Sequence, residues 1–186
     1  MMPLMETINP LMDALHERLT GRPSKALTLS LAREAMADTQ VLDALFLLIY
    51  RGEEPCRWRA AWVISKVSEQ CAELVAGQRS QIVREIMALD ASSGLQRLLL
   101  GIYYNMPEAD ELDVEFFNFL LDRMGCLQSP PGVQALAVKV AARMSRIDDA
   151  LYEEFLCILR NMELGYYSAG VRAAVRNCLK YKSKVK

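Results

Sequence analysis

Residues 55–71 read PCRWRAAWVISKVSEQC, and this stretch decides the fold. Proline fixes its own backbone and lacks an amide donor, so it suits the first turn of a helix and no later one. Behind it, Trp58, Ala61, Trp62 and Val67 recur at helical spacing, which predicts one helix with an apolar stripe. Trp58 and Trp62 stand four apart and share a face, so both read as core rings, with Trp62 as a packing knob.

The same pattern returns three times. Trp58, Leu95, Val133 and Val171 lie 37, 38 and 38 residues apart. Three and four positions on come Ala61/Trp62, Leu98/Leu99, Leu136/Ala137 and Ala174/Val175. Each is preceded by proline or small residues: Pro55-Cys56, Ser92-Ser93-Gly94, Pro130-Pro131-Gly132 and Ser168-Ala169-Gly170. A fixed period with the same turn chemistry marks a stack of helix pairs, each burying its apolar face only against its neighbours. The fold expected is therefore all-α, a short right-handed α-α superhelix of about five helix pairs. Strict apolar/polar alternation is almost lacking, which argues against strands.

Working outward, a first helix spans about Asn9–Leu19, with Leu11, Leu15 and Leu19 on one stripe. Ser24 caps a second, running to about Ala37 with Leu27, Leu31 and Ala35 inward. Thr39 opens VLDALFLLIYR, which Gly52 and Pro55 end. Gly77 closes the organising helix, and Ser80 caps QIVREIMAL. LQRLLLGIYYNM stops at Pro107, VEFFNFLLDRM at Gly125 through a left-handed turn, and Asp148 starts ALYEEFLCILRNM. The chain is one domain, 1–186. Residues 1–38 form a divergent capping pair, 39–182 four repeats and 183–186 a basic tail.

The net charge is −1, unevenly spread. From Val171 onward stand Arg172, Arg176, Lys180, Lys182, Lys184 and Lys186 with no acid; taking those six from the 22 basic residues leaves 16 against 23 acids, about −7 for residues 1–170. An acidic body speaks against duplex nucleic acid, which needs a basic surface. Cations at a helix C-terminus complement its dipole, and that accounts for the tail. The five cysteines form no C-x-x-C pair, and the lone His16 completes no zinc set, so the thiols read as buried and reduced. No basic region precedes an apolar block at the N-terminus, and no run of 18 uncharged apolar residues occurs. The protein is expected in the cytosol, off the membrane, without cofactor or metal.

Trp58–Val63, W-R-A-A-W-V, resembles the second helix of a HEAT-like, armadillo-type repeat, in which small alanines let neighbouring helices approach. The resemblance covers about Thr39 to Tyr181; neither the tetratricopeptide pattern nor the ankyrin T-P-L-H is present. It implies second helices lining a concave side, and with it a non-enzymatic scaffold that binds a protein or peptide. It also implies a rival, an enzyme resembling the HEAT-like alkylpurine DNA glycosylases, whose basic, aromatic channel Trp58, Trp62, Arg59, Arg143, Arg172 and Arg176 would mimic. Pairing of apolar ends into a homodimer is the third option.

On that reading, the residues after the anchors, Arg59, Gln96, Gln134 and Arg172, form a ladder facing the groove. Its arginines would serve as fork donors to acidic or amide-rich partner segments. Tyr104 and Arg143 join them as candidate contacts. Adjacent residues on a helix face differently, so one ring of Tyr103-Tyr104 must be exposed. The plainer reading of the ladder is a solvated stripe. Catalytic signals are weak: His16 has no partner base, and the run Glu108, Asp110, Glu111, Asp113, Glu115 lacks the glycine and spacing of a calcium loop. No phosphate cradle, nucleophile elbow or zinc-protease motif occurs.

Overall fold

The computed structural model describes residues 3–90 and 94–180. The expected turn at Ser92-Ser93 and the basic tail at 183–186 lie outside them. Among the described residues there are eleven α-helices and no strand. They are α1 (Pro3–Thr20), α2 (Lys25–Ala37), α3 (Thr39–Arg51), α4 (Cys56–Gln70), α5 (Glu73–Ala76), α6 (Arg79–Ala88), α7 (Gly94–Asn105), α8 (Val114–Gly125), α9 (Pro131–Met144), α10 (Asp149–Arg160) and α11 (Ala169–Lys180).

Short polar side chains start five of these helices by accepting an otherwise unpaired first-turn amide. Ser24 accepts from Leu27 N, Asp38 from Gln40 N, Asp113 from Phe116 N and Asp148 from Leu151 N. Ser168 does the same for Val171 N at 3.3 Å. Three expectations need correction. Ser80 lies inside α6 and not ahead of it. Gly125 is the last residue of α8, and the chain leaves through an extended Cys126; no described residue has a positive φ. The organising helix α4 ends at Gln70 and not at Gly77: Cys71 leaves the helical conformation, and the single turn α5 intervenes before Gly77.

Contacts group the chain into two compact units. Unit 1 comprises Met1–Glu85 with Asn105–Pro107, and unit 2 comprises Ile86–Tyr104 with Glu108–Lys186. In unit 1, α1 packs on α3, α2 on α4, and α3 against α4. First helix on first and second on second is the packing of stacked helix pairs. Leu15, Leu31, Leu45, Phe46, Ile49 and Ile64 are buried at its centre. In unit 2, α8 packs against α9, while α11 packs on α9 and α10. Its buried centre holds Leu99, Phe116, Leu120, Val138, Phe155 and Val175.

Burial fixes the register of the repeat. Cys56, Leu95, Val133 and Val171 are equivalent and buried; so, four residues on, are Ala60, Leu99, Ala137 and Val175. The spacing is 39, 38 and 38, so the first repeat begins two residues earlier than Trp58 suggests. Both tryptophans are half-buried, their rings 5.5 Å apart. Trp62 is thus not a core knob. Ala60, Ala61, Val63 and Ile64 fill the inward stripe where α2 and α3 close on α4.

Candidate functional site

In the corrected register the residue after each buried anchor is Arg57, Gln96, Gln134 and Arg172. The first three donate to a carbonyl at or just past the end of the preceding helix, and Arg172 donates into the turn just ahead of its own helix. Arg57 Nε reaches Ile49 O at 2.8 Å, and Gln96 Nε2 reaches Ile86 O at 2.9 Å and Leu89 O at 3.1 Å. Gln134 Nε2 reaches Cys126 O at 2.8 Å, and Arg172 donates to Tyr167 O at 2.7 Å. The last carbonyls of a helix have no partner within it, so a long donor from the following helix satisfies them and ties the two together.

The expected partner-facing ladder is therefore an internal bracket. Gln96 and Gln134 are 0% and 3% exposed, which withholds both from any partner. Arg59, two residues past the bracket position, is spent on the end of α1, donating to Leu19 O and, at 2.6 Å, to Gly21 O. Arg57, which the sequence reading passed over, takes its place and also pairs with Glu85 at 3.0 Å. Pairing with a carbonyl two helical turns or more away leaves no mark in local sequence.

Tyr104 and Arg143, by contrast, are brought together. Tyr103 is buried, its ring edge-on to Phe116 at 4.9 Å, and this turns Tyr104 outward to 39% exposure. From α9, Lys139 Nζ and the Arg143 guanidinium carbon each stand 6.0 Å from the Tyr104 ring centre, within cation–π range. Arg143 also donates to the Tyr104 backbone oxygen, and its Nε lies 3.4 Å from a Glu108 carboxylate oxygen. Nearby, Arg97 of α7 lies against Gly132 of α9: a Cβ on that glycine would stand 2.7 Å from Arg97 Cδ.

These cations belong to a wider division of charge. The second helices of unit 2 (α7, α9 and α11) carry Arg97, Lys139, Arg143, Arg172, Arg176 and Lys180 and no acid. The first helices, α8 and α10, carry Glu115, Asp122, Asp149, Glu153 and Glu154 against Arg123 and Arg160. Lys139 and Arg97 were missed in sequence because charge was summed along the chain instead of by helix.

Elsewhere little suggests chemistry. His16 is exposed on α1, and Asp113 in the acidic run caps α8. No group of three His, Cys, Asp or Glu among the described residues is placed to hold a metal. All five cysteines are free, but they are not uniformly buried: Cys71 and Cys157 are exposed. Burial pushes the Cys56 and Cys178 thiols up. Cys126 is held down, first by the Ser129 hydroxyl, which is buried without another partner and can turn to donate to the thiolate, then by the Gln128 amide. No described helix is long and apolar enough to cross a membrane.

The sequence pattern that defines the HEAT repeat domain matches residues 15–182 of this chain. No curated protein and no solved structure matches it.

Proposed function

The chain belongs to the HEAT repeat family, and from that premise we propose that it is a non-enzymatic protein-binding module. HEAT repeats commonly serve as protein-interaction scaffolds. The observation that carries the reading is the cluster of exposed Tyr104 and Lys139 with half-buried Arg143, on second helices whose bracket residues are already committed to the fold. Tyrosine and arginine are enriched at protein contacts: tyrosine buries a large rigid ring, and arginine offers a planar fork of donors. On this reading the module works in the cytosol, without a cofactor. The rival, an enzyme on the same scaffold like the alkylpurine DNA glycosylases, gains from the basic second helices of unit 2. Those helices carry no acid, and the carboxylate beside the cluster, Glu108, is 64% exposed and turned to Arg143; the protein-binding reading is preferred on the common role of HEAT repeats.

Affinity capture from a lysate of the source organism tests it, with wild type beside Tyr104→Ala/Lys139→Glu. The expected result is a protein held by wild type and lost by the variant, at unchanged melting temperature. Retention of DNA alone, with release of damaged bases, would overturn the reading in favour of the enzyme.

A further inference from the structure

Resting on that protein-binding reading, we propose that the second-helix face of unit 2 takes an acidic peptide segment, centred on Lys139 and Arg143 beside Tyr104. Three observations converge on this partner. The first is the division of charge. A carboxylate-bearing chain approaching unit 2 is drawn to α7, α9 and α11, which carry no acid, and repelled by α8 and α10.

The second is that the site already holds the chemistry of its ligand. Glu108 sets its carboxylate beside Arg143, yet at 3.4 Å and with its side chain 64% exposed. A charge-assisted contact of good geometry closes to about 2.7–2.9 Å, so this one is loose. A partner carboxylate that reaches Arg143 and Lys139 together gains two cations where Glu108 engages one. Glu108 is the chain's own weak competitor for the position.

The third separates a peptide from a nucleic acid. Single strands bind by stacking bases on open aromatic faces. The Tyr104 ring is 39% exposed and has two cations 6.0 Å from its centre, so a base stacking on it would compete with both. Glu108, Asp110 and Glu111 follow α7 directly and would oppose a continuous run of phosphates. Separated carboxylates on a flexible backbone avoid both obstacles. Arg97, laid against Gly132, extends the cationic strip along α7 for the same chain.

Fluorescence anisotropy on the full chain tests the proposal, with a labelled Glu/Ser peptide, a Lys/Ser peptide of equal length and an oligothymidylate as probes. The Glu/Ser peptide should bind, weaken as salt rises, and outcompete the other two. Lys139→Glu, at an exposed position, should lower its affinity about tenfold or more. Glu108→Gln, which takes the internal carboxylate from beside Arg143, should raise it about threefold. No binding by folded wild type, or equal binding by Lys139→Glu, would overturn the proposal. Tighter binding of oligothymidylate, lost in Lys139→Glu, would replace the peptide with nucleic acid. If the peptide fails while lysate capture of a protein persists in Lys139→Glu, the protein-binding reading stands and only the acidic partner falls; if both fail, both fall.

Discussion

Gln134 shows what the bracket contributes at the scale of one side chain. Its amide nitrogen lies 2.8 Å from Cys126 O, and the residue is buried, so the bond is shielded from water. Methionine fills nearly the same volume without a donor, so Gln134→Met removes the hydrogen bond and little else. Cys126 O keeps its bond from Ser129 N at 3.0 Å, so the variant loses one of two donors and not the carbonyl's only partner, a cost of about 0.5–1.5 kcal/mol. Urea denaturation should show a loss of that size, and a loss under about 0.5 kcal/mol would mean that water replaces the donor. The helix starts were legible in sequence for a local reason: Ser24, Asp113 and Asp148 each bond an amide three residues on. Arg57 and Gln96 bond carbonyls seven to ten residues back, across a turn, and only the folded chain shows them as partners.

Among elements, the question is which stripe of a second helix faces inward. The period of the repeat could be read from spacing, because burying one face every helix pair forces it. The phase could not. Matching on the largest apolar residue selects Trp58, whereas the buried anchor of α4 is the small thiol Cys56. Free cysteine behaves as a small buried hydrophobe, and a ranking by size overlooks it. On α9, where the anchor is Val133 in either phase, burial makes a paired prediction. Ala137 has no exposure and faces the interior, while Ala135, two residues before it, is half-exposed. Ala137→Leu forces extra volume into a filled site and should cost about 1–3 kcal/mol. Ala135→Leu should stay within about 0.5 kcal/mol. Thermal melts of the two variants check it, and equal losses would mean that α9 does not turn Ala137 inward.

For the whole molecule, a net charge of −1 conceals a basic set of second helices in unit 2, because acids on the first helices cancel them in any sum. Function was poorly legible for that reason: the informative variable is charge by helix, which needs the fold before it can be computed. Stability in such a chain has a matching locality. Where each helix pair is held only by its neighbours, a lesion weakens the repeats around it more than distant ones. Phe155 is buried in α10, its ring 6.3 Å from that of Phe117 on α8, and both belong to unit 2. Phe155→Ala empties that site and should cost about 3–5 kcal/mol. The chain's two tryptophans, Trp58 and Trp62, both lie on α4 in unit 1, so their fluorescence follows that unit, while far-UV circular dichroism follows every helix. In Phe155→Ala the dichroism transition should therefore move to lower urea and broaden, with the tryptophan transition remaining close to its wild-type midpoint. Equal displacement of both curves would mean that a single cooperative transition spans both units, and that neighbour-by-neighbour support is the wrong description of this chain.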